Sequence, residues 1–148
     1  MPISIDQKIL REIIMDHYSH PSHKNKPVNE DEYFKVEMNS ASCIDDLFIY
    51  LKVKDDIIVD ALFDGIACTI STASTDILCD LLVSKTKEEA LYIIEQYQNM
   101  IFEKPYDEEC IGELIAFINT HKQASRIKCA TLGSEGFKKL LENNEDEK

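Results

Sequence analysis

Asp46-Leu47-Phe48-Ile49-Tyr50-Leu51-Lys52-Val53-Lys54-Asp55-Asp56-Ile57-Ile58-Val59-Asp60-Ala61-Leu62-Phe63 reads as two strands and a turn. Leu47, Ile49, Leu51 and Val53 recur at period two and share one face, with Phe48, Tyr50 and Lys52 on the other. Ile57 to Phe63 is dense in β-branched residues, which favour a pleated surface. Lys54-Asp55-Asp56 joins the runs at hairpin length, too short for a parallel crossover, so the two strands are antiparallel neighbours. Tyr33 to Met38, just upstream, alternates polar and apolar residues and supplies a third strand.

Beyond the strands the apolar period lengthens. Ile5, Ile9, Leu10, Ile13, Ile14 and His17 predict an amphipathic helix from near Ser4 to Tyr18, closed by His20-Pro21. The polar stretch Ser22 to Asp31 reads as an irregular connection. Downstream, Ile70, Ala73, Ile77, Leu81 and Leu82 predict a buried helix beginning at Thr69. A second helix is expected over 85–104, capped by Ser84 or Thr86 and stopped by Pro105. A short helix over 110–120 and a last one around 135–141 complete the pattern. The expectation is an α+β fold: one three-stranded antiparallel sheet covered by helices, in a single domain over 1–141. The apolar-free stretch 142–148 is expected to be a disordered acidic tail.

The 148 residues are 44% hydrophobic and 30% charged, with 28 acidic side chains against 16 basic and a formal net charge of −12. Such a surface repels phosphate backbones and anionic lipid, which argues against nucleic-acid and membrane-surface partners. No apolar run approaches the roughly 20 residues that cross a bilayer. Met1 to Leu10 has neither the basic start nor the apolar block of a secretory signal, so a cytoplasmic location is expected. Thiols stay reduced there, and an odd count of five cysteines cannot pair completely in any case.

Cys43, Cys68, Cys79, Cys110 and Cys129 form no C-x-x-C pair, which removes ribbon, finger and thioredoxin-type readings. Cys43 lies in a polar turn between strands, Cys68 where the third strand passes into a helix, and Cys129 where a connection enters the last helix. Unpaired N–H groups at helix starts favour thiolate over thiol at the latter two. Cys79, inside an apolar helix, reads as inert core, and Cys110 beside Asp107, Glu108 and Glu109 reads as an unreactive thiol. Asp45, two residues after Cys43, points the same way in extended chain. Three thiolates and one carboxylate would suit a tetrahedral site for zinc or an iron–sulfur centre. Arg126, three residues before Cys129, could offset the excess negative charge. His17, His20 and His23 repeat at three-residue spacing, but Pro21 breaks the helical geometry, leaving His17 as a packing or docking residue. There is no Gly-rich phosphate loop, Ser-His-Asp arrangement or nucleotide fingerprint.

Four segments carry a resemblance. Asp16-His17-Tyr18 with Pro21, the turn Cys43-Ile44-Asp45, the block Phe63-Asp64-Gly65-Ile66-Ala67-Cys68-Thr69-Ile70-Ser71-Thr72-Ala73-Ser74, and Arg126-Ile127-Lys128-Cys129-Ala130-Thr131-Leu132 together resemble the U-type iron–sulfur cluster assembly proteins (the IscU and NifU N-terminal group). The scaffold branch carries His immediately before the third cysteine, where this chain has Lys128. The 60 residues between Cys68 and Cys129 leave room for the extra segment of SufU-like members, here about 106–125. The likeness is therefore to the SufU-like branch. It implies a SufE/NifU-like fold, zinc bound by Cys43, Asp45, Cys68 and Cys129, and Arg126 in support. It further implies that persulfide sulfur is accepted from a cysteine desulfurase, with Cys43 as the acceptor, and passed to downstream iron–sulfur acceptor or scaffold proteins. That is sulfurtransferase-like work rather than independent catalysis. A cluster scaffold on the same cysteines and a structural zinc adaptor are the alternatives. Ser40, Ala41, Ile44 and Ala67 depart from the family pattern, the last two where it has glycine.

Overall fold

A computed structural model describes residues 6–39 and 45–143. The expected sulfur acceptor, Cys43, lies outside the described residues, as does 144–148 of the expected tail. The element order is α1 (Gln7–Ser19), β1 (Phe34–Asn39), β2 (Asp46–Lys54), β3 (Ile57–Ile66), α2 (Thr69–Leu82), α3 (Lys87–Ile101), α4 (Glu108–Ile111) and α5 (Ala124–Asn143), with 3-10 turns at Glu30–Glu32, Gly112–Phe117 and Thr120–Lys122. This is the expected α+β architecture, a three-stranded antiparallel sheet in the order β1-β2-β3 with helices over it.

The hairpin forms as its sequence demands, with one refinement. Lys54 pairs with Ile57, so the loop is only Asp55-Asp56. Both loop residues take positive φ, 54° and 66°, the handedness that matches strand twist in a two-residue turn. Aspartate tolerates that region better than most residues. Leu47, Ile49, Leu51, Val53, Ile58, Ala61 and Phe63 are buried, against α2 and α5. The other face of β2 is covered too: Tyr50 is buried, with Lys35 Nζ 5.8 Å from its ring centroid and 5.1 Å from that of Phe48. The outer edge of β3 is protected at both ends, by Phe63 N–H donating to His23 O at 3.0 Å and by Ile58 N–H donating to Lys85 O at 2.8 Å.

Helix ends follow local chemistry. Asp6 caps α1 by accepting from Lys8 N–H at 2.8 Å, so the helix begins at Gln7, later than the expected Ser4. Thr86 and Glu89 form a reciprocal capping box at the start of α3. That helix stops before Pro105 acts. Glu103, at φ 60°, lets Lys104 N–H reach Asn99 O at 2.7 Å and its own N–H reach Met100 O at 3.2 Å, which closes the helix in a Schellman turn.

Two segments differ from the sequence reading. The helix expected over 110–120 is a single α-turn followed by 3-10 turns, because Gly112 sits at φ +48° and ends α4. The last helix, expected over 135–141, instead runs from Ala124 to Asn143 and includes Arg126 and Cys129. Gly133 disguises this continuity. A Cβ there would stand 2.3 Å from Thr75 Oγ1, so the glycine serves close approach of α5 to α2 rather than a break.

Candidate metal centre

Three elements deliver the candidate ligands. Asp45 immediately precedes β2, Cys68 is the N-cap of α2, and Cys129 lies in the second turn of α5. Cys68 arrives there because β3 ends at Ile66 and Gly65, at φ +109°, passes so close to β2 that a Cβ would meet Asp46 O at 2.1 Å. Cys129 is fixed from behind, where the buried Tyr97 hydroxyl donates to Ala130 O at 2.7 Å. One ligand atom from each of Asp45, Cys68 and Cys129 falls within 4.8 Å of the others. Asp45 is 2% exposed, Cys129 1%, and Cys68 is half-buried, so the group opens outward on the Cys68 side.

Hydrogen bonds orient the group. Cys68 N–H donates to Asp45 Oδ1 at 2.6 Å, and the Ser71 hydroxyl contacts the other carboxylate oxygen. Ser71 Oγ also lies 3.0 Å from the Cys129 carbonyl oxygen, so one serine touches the surroundings of two candidate ligands. Ser71 N–H points at Cys68 Sγ, 3.4 Å away. This is one of the N–H groups of the first turn of α2 that have no partner within the helix. Cys68 Sγ is 3.7 Å from Asp45 Oδ2. With bonds of about 2.3 Å to sulfur and about 2.0 Å to oxygen, tetrahedral zinc needs donors about 3.5–3.8 Å apart. The donor types fit, and so does the Cys68–Asp45 separation, with a Cys129 donor within 4.8 Å of both. Both cysteines are free of disulfides.

The other thiols are placed differently. Cys79 is fully buried in α2, and burial together with the Asp76 and Asp80 charges pushes its thiol well up. Burial and Asp107 push Cys110 up to about 11. Neither belongs to the Asp45 group. Arg126 is exposed, one turn before Cys129, and lines the same open cleft as Cys68.

A second cluster escaped the sequence reading. His17 Nδ1 is 2.6 Å from Asp76 Oδ2 and its Nε2 is 3.0 Å from Glu113 Oε1. Asp76 Oδ1 accepts from His23 N–H at 2.9 Å, and His23 Nε2 is 2.6 Å from Asp80 Oδ1. His17, Asp76 and Asp80 each bring a donor atom within 4.8 Å of the others. Burial alone would depress the His17 imidazolium, but the hydrogen bonds and charges of Asp76 and Glu113 outweigh it and hold the pKa above the ordinary value. Carboxylate oxygens beside both ring nitrogens favour the imidazolium form. The available signal was Asp76 itself, a charge one position before Ile77 on a helix that reads as buried.

The family model of the NifU-like N terminal domain matches residues 9–137. Over 138 residues the chain is 35% identical to the zinc-dependent sulfurtransferase SufU of Bacillus subtilis (strain 168), covering 93% of this chain and 92% of that protein. It is 32% identical over 134 residues to the iron–sulfur cluster assembly scaffold protein IscU of Streptococcus pyogenes serotype M1, covering 89% and 82%. Among solved structures, a SUF-system iron–sulfur cluster assembly scaffold protein (FiSufU) from Fervidobacterium islandicum AW-1 superposes with a TM-score of 0.82 at 32% identity, over 88% of this chain and 94% of that one.

Proposed function

The chain belongs to the NifU-like N-terminal domain family, and on that premise we propose that it is a zinc-dependent acceptor and carrier of persulfide sulfur in iron–sulfur cluster assembly. One observation carries the reading: Asp45, Cys68 and Cys129, far apart in sequence and on three different elements, bring sulfur and oxygen atoms into one 4.8 Å group. Cys43 is the fourth member. A residue two positions from Asp45 has its Cα within about 7 Å of that of Asp45 by covalent reach alone.

Bound zinc would keep the cysteine sulfurs as thiolates at neutral pH. The chain's own groups do the rest. Cys68 N–H and Ser71 hold the Asp45 carboxylate in place, and the Ser71 N–H stabilises charge on Cys68 Sγ. Three thiolates and a carboxylate around a dication leave about two negative charges, which these dipoles and Arg126 oppose. In the transfer, the Cys43 thiolate attacks the outer sulfur of a persulfide on the partner desulfurase. The partner's cysteine sulfur leaves with the bonding electron pair, and Cys43 becomes the persulfide, with no net oxidation. Among the described residues no helix is long and apolar enough to cross a membrane.

The test pairs metal content with activity. The zinc-loaded full chain should stimulate a cysteine desulfurase, purify colourless with one zinc, and acquire one persulfide. Cys43→Ala should abolish stimulation with the fold retained by circular dichroism. A brown protein with sulfur-to-iron absorption after anaerobic purification would favour the scaffold alternative instead. Unchanged desulfurase rates in Cys43→Ala would leave only the structural adaptor.

A further inference from the structure

Sulfur taken up at this centre must also leave it, and the geometry beside Cys68 bears on what removes it. A cleft of about 690 Å³ opens there, within the range of small-molecule sites. Tyr18 of α1 forms one wall, and Asn119, Thr120 and Gln123 of the turns preceding α5 form another. Arg126, in the first turn of α5, is the one charged side chain among the described lining residues. Its guanidinium makes no ion pair among the described residues. In a chain with 28 acidic residues against 16 basic, a lining without a single carboxylate among the described residues is a local reversal of charge. Amide and hydroxyl groups beside one unpaired planar cation suit a small polar anion, and the guanidinium fork matches a carboxylate.

We propose that this cleft binds a low-molecular-weight thiol bearing a carboxylate, which discharges the carried sulfur. The proposal rests on the sulfur-carrier reading above. Its step balances without an outside oxidant or reductant. The small thiolate attacks the outer sulfur of the chain's persulfide, the sulfur–sulfur bond to Cys43 breaks, and Cys43 leaves as thiolate with the electron pair. The product is the persulfide of the small thiol. Arg126 holds the carboxylate, Asn119, Thr120 and Gln123 offer hydrogen bonds to the rest, and Cys68, grouped with Asp45 two positions from Cys43, lines the same cleft.

Discharge kinetics read the assignment. The zinc-loaded full chain is charged with a desulfurase and cysteine, desalted, and mixed with 3-mercaptopropionate, 2-mercaptoethanol or cysteamine at matched thiolate concentrations. Saturable discharge by 3-mercaptopropionate is expected, with KM about tenfold or more below the other two, the scale of a charge-assisted hydrogen bond. Arg126→Glu should reverse the order of 3-mercaptopropionate and cysteamine. Linear, equal discharge by all three overturns the proposal. Binding is read separately by NMR with 3-(methylthio)propionate, a thioether that cannot accept sulfur. Shifts at the backbone amides of Asn119, Thr120, Gln123 and Arg126 support the site. Their absence at millimolar thioether overturns it, including where only a bound desulfurase covers these residues. Shifts in a chain that never acquires a persulfide support the ligand assignment and remove the carrier reading.

Discussion

Two clusters of ligand-type side chains sit on α2, and they solve the problem of buried charge in opposite ways. At the helix interior, Asp76 faces His17, and one proton on the imidazole balances the pair while Glu113 takes the second ring N–H. At the helix start, Asp45, Cys68 and Cys129 bring three acidic ligand types together, and dipoles of Ser71 and the Cys68 backbone point at them. The first cluster sets its carboxylates against a histidine ring. The second gathers acidic ligand types, and it lies where the structure opens to a cleft. Proximity of ligand atoms, within 4.8 Å in both, does not separate the two; a basic ring among the members does.

Asp76→Ala is the largest way to break the comparison. It leaves a buried histidine without its main partner and should cost about 3 kcal/mol in urea unfolding, at the low end for a broken buried pair because the ring can lose its proton. Zinc stoichiometry should stay at one. Loss of zinc together with stability would mean that the clusters act as one unit. Ser71→Ala comes next. It removes the hydroxyl that orients Asp45 and should weaken zinc affinity about 10-fold or more by competition with a chelator dye, with a smaller change in unfolding. Unchanged affinity would remove Ser71 from the support of the centre. The pH dependence is the finest test. His17 has a folded pKa above 6.5, so its stabilising contribution is complete below 6.5 and is lost as pH rises through the folded value. His17→Gln should flatten that part of the stability profile, and NMR titration of the His17 ring should give a midpoint above 6.5. A midpoint below it would contradict the imidazolium assignment.

Much of the fold was legible because its signals are local and redundant. Leu47 to Val53 at period two, the short link to Ile57 and the changed period after Thr69 each point to the same sheet-and-helix plan. The misread parts are those where glycine and charge have tertiary causes. Gly133 looks like a helix end until Thr75 is seen against it, and Gly112 ends a helix whose sequence otherwise continues. At the centre, Asp45, Cys68 and Cys129 were singled out by their positions near element ends and by the resemblance. Cys129 nevertheless proves to be inside a helix rather than at its start. Ser71 is quoted within the block Phe63 to Ser74, but nothing in local sequence says that one hydroxyl will meet groups 26 and 58 positions away. The His17 cluster was hidden for the same reason. Asp76, His23 and Glu113 reach it from three separate segments, and no spacing rule links them.

The central claim is that one ion is held by Cys43 and Asp45 ahead of β2, a helix cap and a helix interior. Zinc K-edge X-ray absorption on the freshly isolated full chain tests it most directly. The account predicts one tightly held zinc with three sulfurs at about 2.3 Å and one oxygen at about 2.0 Å, falling to two sulfurs in Cys129→Ser. A metal-free protein, or a zinc whose shell is nitrogen and oxygen and unaffected by Cys129→Ser, would contradict it.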